Sequence, residues 1–176
     1  DLGTLMLTGA NSYTGGTQVV DGTLIGNSGS IRGDISNAAT VVFDQATNGS
    51  FAGAIAGLGG TNGAMVKRGV GDLTLTGGSA LGWTIETGGL IGNASRFGGN
   101  AAIQTGARLT FDQNADATYA GILSGSGSFA LSGSGKVTMT GNSSAFNGTT
   151  TVGAGNELIV GTAAGGALGG SMTFGG

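Results

Sequence analysis

The sequence predicts an all-β chain: a right-handed parallel β-helix, or β-solenoid, of about eight coils with no substantial α-helix. Three observations carry this. One stretch recurs: residues 3–26 read GTLMLTGANSYTGGTQVVDGTLIG, residues 71–92 read GDLTLTGGSALGWTIETGGLIG, and residues 135–161 read GKVTMTGNSSAFNGTTTVGAGNELIVG. Self-similarity at a long period marks an architecture built by stacking. Apolar residues alternate with a period of two, the strand period, as at Leu73/Leu75 and Val137/Met139. Gly accounts for 41 of 176 residues, and each Gly costs a helix about 1 kcal/mol against Ala.

Taken in order, the first unit opens on Leu5 and Leu7, turns through Gly9-Ala10-Asn11-Ser12, and breaks at Gly15-Gly16. Strand-like runs follow at Thr17/Val19, at Leu24-Ile25 and over Thr40 to Phe43, the last leaving through a polar Asp44-Gln45. Phe51 to Gly60 and Ala64 to Gly69 close the unit. The second unit repeats these parts: Leu109-Thr110-Phe111-Asp112-Gln113 answers Val41 to Gln45, Tyr119 to Gly125 answers Phe51 to Gly57, and Ser128 to Gly133 answers the Met65 segment. The third begins at Gly135 and ends early, at Ser171 to Phe174. The expected organisation is one domain, 1–176, with repeats 3–70, 71–134 and an incomplete 135–176. At roughly 20 to 25 residues per coil, each unit holds about three coils. A solenoid lets parallel strands pair one coil apart, and parallel crossovers are right-handed. The alternating Leu, Val, Ile, Met and Phe then point inward, and Gly serves corners where φ is positive or backbones touch.

Composition narrows the function. Hydrophobic residues make up 39%, too many for disorder to be the default. Only 9% of residues are charged and the net charge is −3, so no basic patch is present to neutralise phosphates, and nucleic acid is not an expected partner. No polybasic membrane-binding run and no 18-residue apolar stretch occurs, so no segment spans a bilayer as a helix. With no Cys, disulfides and thiolate metal sites are out. The chain starts at Asp1 without a signal peptide and reads as a piece of a longer protein.

The repeat itself resembles a known family. Gly3, Leu5, Leu7, Gly9, Asn11, Tyr13, Gly15, Thr17, Val19, Gly22 and Leu24 follow the pattern of the passenger-associated transport repeat of bacterial autotransporters. Gly71, Leu73, Leu75 and Gly77 carry it in the second unit. Gly135, Val137, Met139, Gly141, Asn142, Phe146, Gly148, Thr150 and Val152 carry it in the third. The second copy departs most, with Ser79 and Trp83 where Tyr13 and Thr17 stand. The resemblance implies a β-helix on the outer surface of a Gram-negative bacterium. Its implied partners are its own C-terminal outer-membrane barrel and an upstream effector, neither within this chain. A stalk that assists folding and secretion is the first function so implied. An adhesin, or a self-associating surface binding host cells, matrix or neighbouring bacteria, is the alternative.

Catalytic chemistry has little to stand on. Without His or Cys, the Ser-His-Asp and Cys-His arrangements and most transition-metal sites are absent. A Ser-Lys pair would need Lys67 or Lys136, both expected at strand-edge repeat positions. Asp44 and Asp112 occupy equivalent repeat positions, expected about three coils and roughly 14 Å apart, beyond the reach of a glycosidase carboxyl pair. Neither a P-loop nor the calcium β-roll nonapeptide is present, and no cofactor is expected. Trp83 and Tyr119 read as repeat positions matching Thr17 and Phe51, with a sugar platform as the alternative. The Asn-x-Ser/Thr triplets at Asn48, Asn93, Asn142 and Asn147 read as accidents of an Asn/Ser/Thr-rich composition, with side-chain stacking at corners as the alternative. One short motif remains: Arg32-Gly33-Asp34, in a polar stretch between strands, resembles the integrin-recognition tripeptide displayed by some bacterial surface proteins. The other reading of it is a solvated turn.

Overall fold

A computed structural model describes residues 2–161 and 165–175; Asp1 and Gly176, the limits of the expected domain, lie outside the described residues. The chain is all strand and turn, wound as a parallel β-solenoid of about eight turns. In chain order the strands are β1 (Thr4–Met6), β2 (Thr17–Val19), β3 (Thr23–Gly26), β4 (Ile35–Asn37), β5 (Thr40–Asp44), β6 (Gly49–Phe51), β7 (Ile55–Gly57), β8 (Ala64–Arg68), β9 (Leu73–Leu75), β10 (Trp83–Ile85) and β11 (Gly89–Gly92). They continue as β12 (Ala101–Ile103), β13 (Arg108–Gln113), β14 (Ala117–Tyr119), β15 (Leu123–Gly125), β16 (Ser128–Gly133), β17 (Lys136–Met139), β18 (Asn142–Ser143), β19 (Thr149–Val152), β20 (Glu157–Val160), β21 (Ala167–Leu168) and β22 (Ser171–Phe174).

Each strand pairs with the one a coil away, which sorts the strands into three faces. The first face is β1-β3-β5-β8-β10-β12-β15 and the second β6-β9-β11-β13-β16-β19-β22. The third carries β2-β4-β7 at one end and β14-β17-β20 at the other. Between them it thins to single bridges, Ile55 with Ser79 and Ser79 with Phe97. Here the second copy lacks its Asn-x-Tyr, and the turn is held by one residue pair instead of a strand. The short β18-β21 pair extends the first face, since Phe146 bridges Gly125 at the end of β15. Coil length varies: 17 residues separate Leu24 from its partner Val41, and 24 separate Val41 from Met65. Surface turns absorb the difference.

The core runs through the middle of all the coils. Val41, Phe43, Met65, Leu73, Trp83, Leu90, Leu109, Phe111, Leu123, Phe129, Val137 and Met139 are all buried. Aromatic rings stack along the axis, Phe111 lying edge-on to Tyr119 at 5.1 Å and to Phe129 at 5.3 Å. Leu5, expected inward, is 59% exposed because β1 is the last strand of its face and has no coil above it. Gly33 shows why the corners need glycine. Its φ is +67°, and a Cβ there would come within 2.8 Å of the Gly16 Cα in the coil beside it.

Alike-reading segments do not return to the same face. Thr23-Leu24-Ile25-Gly26 forms β3 on the first face, Gly89-Leu90-Ile91-Gly92 forms β11 on the second, and Glu157-Leu158-Ile159-Val160 forms β20 on the third. From β3 the chain passes β5, β8 and β10 on the first face before reaching β11. The unit is therefore three turns plus one face. Each copy is rotated by one face from the last.

Candidate functional site

Arg32-Gly33-Asp34 occupies the corner between β3 and β4, and all three residues are exposed. It does not project as a loop, because its backbone is used on both sides. The Arg32 N–H donates to the Tyr13 hydroxyl (2.8 Å), and the Arg32 carbonyl accepts from Thr17 Oγ1 (3.1 Å). That commits the Thr17 hydrogen, so the Tyr13 hydroxyl donates to Thr17 Oγ1 across 2.9 Å. Thr17 N–H donates to the Asp34 carbonyl at 2.8 Å. The Asp34 carboxylate reaches into the next coil and accepts the Ala54 N–H at 2.8 Å. The repeat residues Tyr13 and Thr17 thus form a clamp that holds the tripeptide flat against the solenoid. Its carboxylate is partly engaged and its guanidinium is not.

Beside this corner lies a groove of about 480 Å³. Tyr13 and Arg32 stand at it, Ser28 and Ser50 contribute hydroxyls, and the buried Ile31 and Phe51 supply an apolar lining. Arg32 is the charged residue among its lining groups.

The other cations are occupied. Arg68 pairs with Asp44 at 3.1 Å, Lys136 pairs with Asp116 at 3.1 Å, and Arg108 pairs with Asp72. The Lys136 backbone N–H and side chain, hydrogen bonded to Asp116, hold that carboxyl below its ordinary value. Arg96 donates to the Thr76 carbonyl. Lys67 corrects one expectation. It lies on β8, a strand paired on both sides, and points inward, fully buried, in register between Phe43 and Ile85. Its ammonium donates to three carbonyls, those of Arg68 (3.0 Å), Gly69 (2.8 Å) and Thr87 (3.0 Å). Burial pulls its pKa down, while Asp72 and Asp44 push it back up. Closed off and hydrogen bonded on every proton, it has no opening to a substrate. Among the described residues, Arg32 alone of the six Lys and Arg keeps a side chain without a protein partner.

The two equivalent carboxylates serve different partners. Asp44 lies on β5 of the first face and Asp112 on β13 of the second, so the equivalent pair is not stacked on one surface. Asp44 serves Arg68, and Asp112 accepts from the Ser132 hydroxyl at 3.4 Å. The neighbouring Gln45, expected in a polar exit, is buried instead. Its Oε1 takes the Ser28 N–H at 2.7 Å, as Gln113 Oε1 takes the Ala94 N–H at 2.9 Å. These glutamines hold each corner to the previous coil. The matched Phe-Asp-Gln in the two units is the signal that marks them.

Trp83 and Tyr119 are both buried, which removes the sugar-platform alternative. Trp83 Nε1 donates to Ser79 Oγ at 2.9 Å, and the Tyr119 hydroxyl donates to the Gly99 carbonyl at 2.9 Å. Of the Asn-x-Ser/Thr triplets, Asn48 holds a corner by accepting the Asp72 N–H at 2.9 Å, and Asn93 caps its own turn. Among the described residues no three Asp, Glu, His or Cys gather closely enough to hold a metal, and no helix is long and apolar enough to cross a membrane.

The passenger-associated-transport-repeat model matches residues 1–25, 65–91 and 129–158, the three recurring stretches. An adhesin, the BmaC autotransporter of Brucella suis biovar 1 (strain 1330), is 37% identical over 175 residues. That alignment takes in 99% of this chain and 4% of the relative, so the chain spans a small part of it. No solved structure matches the chain.

Proposed function

We propose that the chain, three stretches of which match the passenger-associated transport repeat, is a structural stalk segment of an autotransporter passenger at the outer-membrane exterior. Its work is to fold coil upon coil outside the cell, assist passage of the passenger, and hold an upstream effector away from the membrane. A C-terminal outer-membrane barrel and the upstream passenger are its partners in the longer protein. The three repeats, 3–70, 71–134 and an incomplete 135–176, are the units of that stack. The segment itself does no chemistry on a substrate. The observation that carries this reading is the unbroken core: coils contribute buried side chains to one column, so each coil forms a template for the next.

The test is in the autotransporter that carries this chain. Phe111→Asp places a charge in the column, at a cost of several kcal/mol. It is expected to lower the amount of passenger that added protease can reach at the cell surface, while Thr110→Asp on the outward side of β13 leaves it unchanged. Full display of the Phe111→Asp passenger would count against a folding role.

A second reading, adhesion, is favoured by the exposed, rigid Arg32 corner and by the relative's being an adhesin. Recognition of the integrin type uses both charged groups of Arg32-Gly33-Asp34. Asp34→Asn keeps an acceptor for the Ala54 N–H and removes the charge, so loss of host-cell binding in that variant would support the tripeptide.

A further inference from the structure

We infer that the groove beside Arg32 is a binding site for a carboxylated sugar. The inference rests on the adhesive reading and names its ligand class.

The cation count points there first. On a chain of net charge −3, five of six cations are tied to carboxylates or carbonyls, and the sixth, at a groove, has no side-chain partner among the described residues. No carboxylate lines that groove, and the neighbouring Asp34 carboxylate is turned onto the Ala54 N–H. A guanidinium presents a planar fork that matches a carboxylate with two parallel hydrogen bonds. Second, the rest of the lining suits a pyranose. Tyr13 is 37% exposed, and its hydroxyl is already committed to the corner, so its ring is what it offers. Ser50 is exposed and its hydroxyl makes no hydrogen bond among the described residues. The groove's volume of about 480 Å³ is that of a small-ligand cleft. Third, the site is rigid before anything binds. The clamp from Tyr13 and Thr17 fixes the Arg32 backbone, so binding orders little beyond the guanidinium arm.

The carboxylated sugar reading separates from the tripeptide reading at Asp34. A sugar carboxylate needs Arg32 and not the Asp34 charge.

The experiment titrates the chain with N-acetylneuraminyl-lactose and, in a parallel arm, with a glucuronate-terminated disaccharide. Lactose is the neutral control, and host-cell binding is measured on the same preparations. Saturable binding of either acidic sugar is expected. Arg32→Gln is expected to weaken it about tenfold or more, and Asp34→Asn to leave it within about twofold. Arg32 is exposed, so an unchanged unfolding midpoint shows that Arg32→Gln is still folded. Equal binding of lactose, equal binding by Arg32→Gln, or no binding of either acidic sugar at millimolar concentration would overturn the site. Cell binding without sugar binding overturns the site and keeps adhesion. Sugar binding without cell binding keeps the site and removes the adhesive reading.

Discussion

Tyr13 and Thr17 show how one pair of repeat positions is reworked in each copy. In the first copy the two hydroxyls bond to each other and clamp the next coil. In the second, Ser79 and Trp83 stand in their places and still bond to each other, now buried. In the third, Phe146 replaces the tyrosine and has no hydroxyl, which leaves the buried Thr150 Oγ1 without a partner. A buried unmatched hydroxyl is destabilising, whereas a methyl of the same shape is not. Thr150→Val is therefore expected to stabilise the chain by about 1 kcal/mol, read from its denaturant midpoint at unchanged slope. Tyr119 gives the pH prediction. Burial pushes its pKa well above the ordinary value. Below about pH 10 the phenol keeps its proton in both folded and unfolded chains. Above that the unfolded chain releases its proton first, so stability falls as pH rises towards the folded pKa. Tyr119→Phe loses the bond to the Gly99 carbonyl, costing about 1 kcal/mol at neutral pH, and loses this alkaline decline as well. Unfolding midpoints of the two proteins, compared at pH 8 and pH 11, check both parts.

Strands of two to six residues have little stability alone, and their corners decide whether successive coils meet. Two devices do this. Buried amides reach back one coil, as Gln45 and Gln113 do, and Asn156 Nδ2 donates to the carbonyls of Ser132 (3.2 Å) and Gly135 (3.1 Å). Glycines let one backbone lie directly on another. At Gly148 an added Cβ would overlap the Gly127 carbonyl oxygen in the coil below. No side-chain adjustment relieves that contact, because both sides are backbone. Gly148→Ala is expected to cost about 3 kcal/mol or more and to raise hydrogen exchange in β16 and β19, which pair across that corner. Wild-type exchange in those strands would refute this account of the corner. Gly92, with nothing within 4 Å of its added Cβ, provides the contrast: Gly92→Ala is expected to change little.

Rotation of the repeat by one face has a consequence for the surface. A feature repeated in sequence is not repeated along one line. Ile25, Ile91 and Ile159 occupy the same place in the three -Leu-Ile- segments, yet they face outward from the first, second and third faces. A solenoid made of such repeats presents its equivalent positions around the axis. A partner docking on one side meets a given repeat surface only at every third copy. Spin labels at these three positions test this. If the segments were stacked on one face, the distance from 25 to 159 would equal the sum of the two intermediate distances. Rotation makes it shorter than that sum. Additive distances would show that the faces have been misassigned.

Strand content, the stacking of coils and the three recurring stretches were legible in the residues, because period two, β-branched runs and glycine spacing are local properties that act within a few residues. Arg32-Gly33-Asp34 was legible as a motif for the same reason. The buried Lys67, the corner role of Gln45, the free state of Arg32 and the rotation of the faces were not. Each depends on what lies one coil away, 17 to 24 residues distant along the first-face pairs at Val41. A lysine reads as solvent-facing until three carbonyls from two coils are found around it. An extra third of a turn accumulates over more than sixty residues and leaves no mark on any one of them. Local pattern determined what the chain is made of, and packing between coils decided which of its groups are left to meet a partner, because burial and hydrogen bonding are settled by neighbours in space.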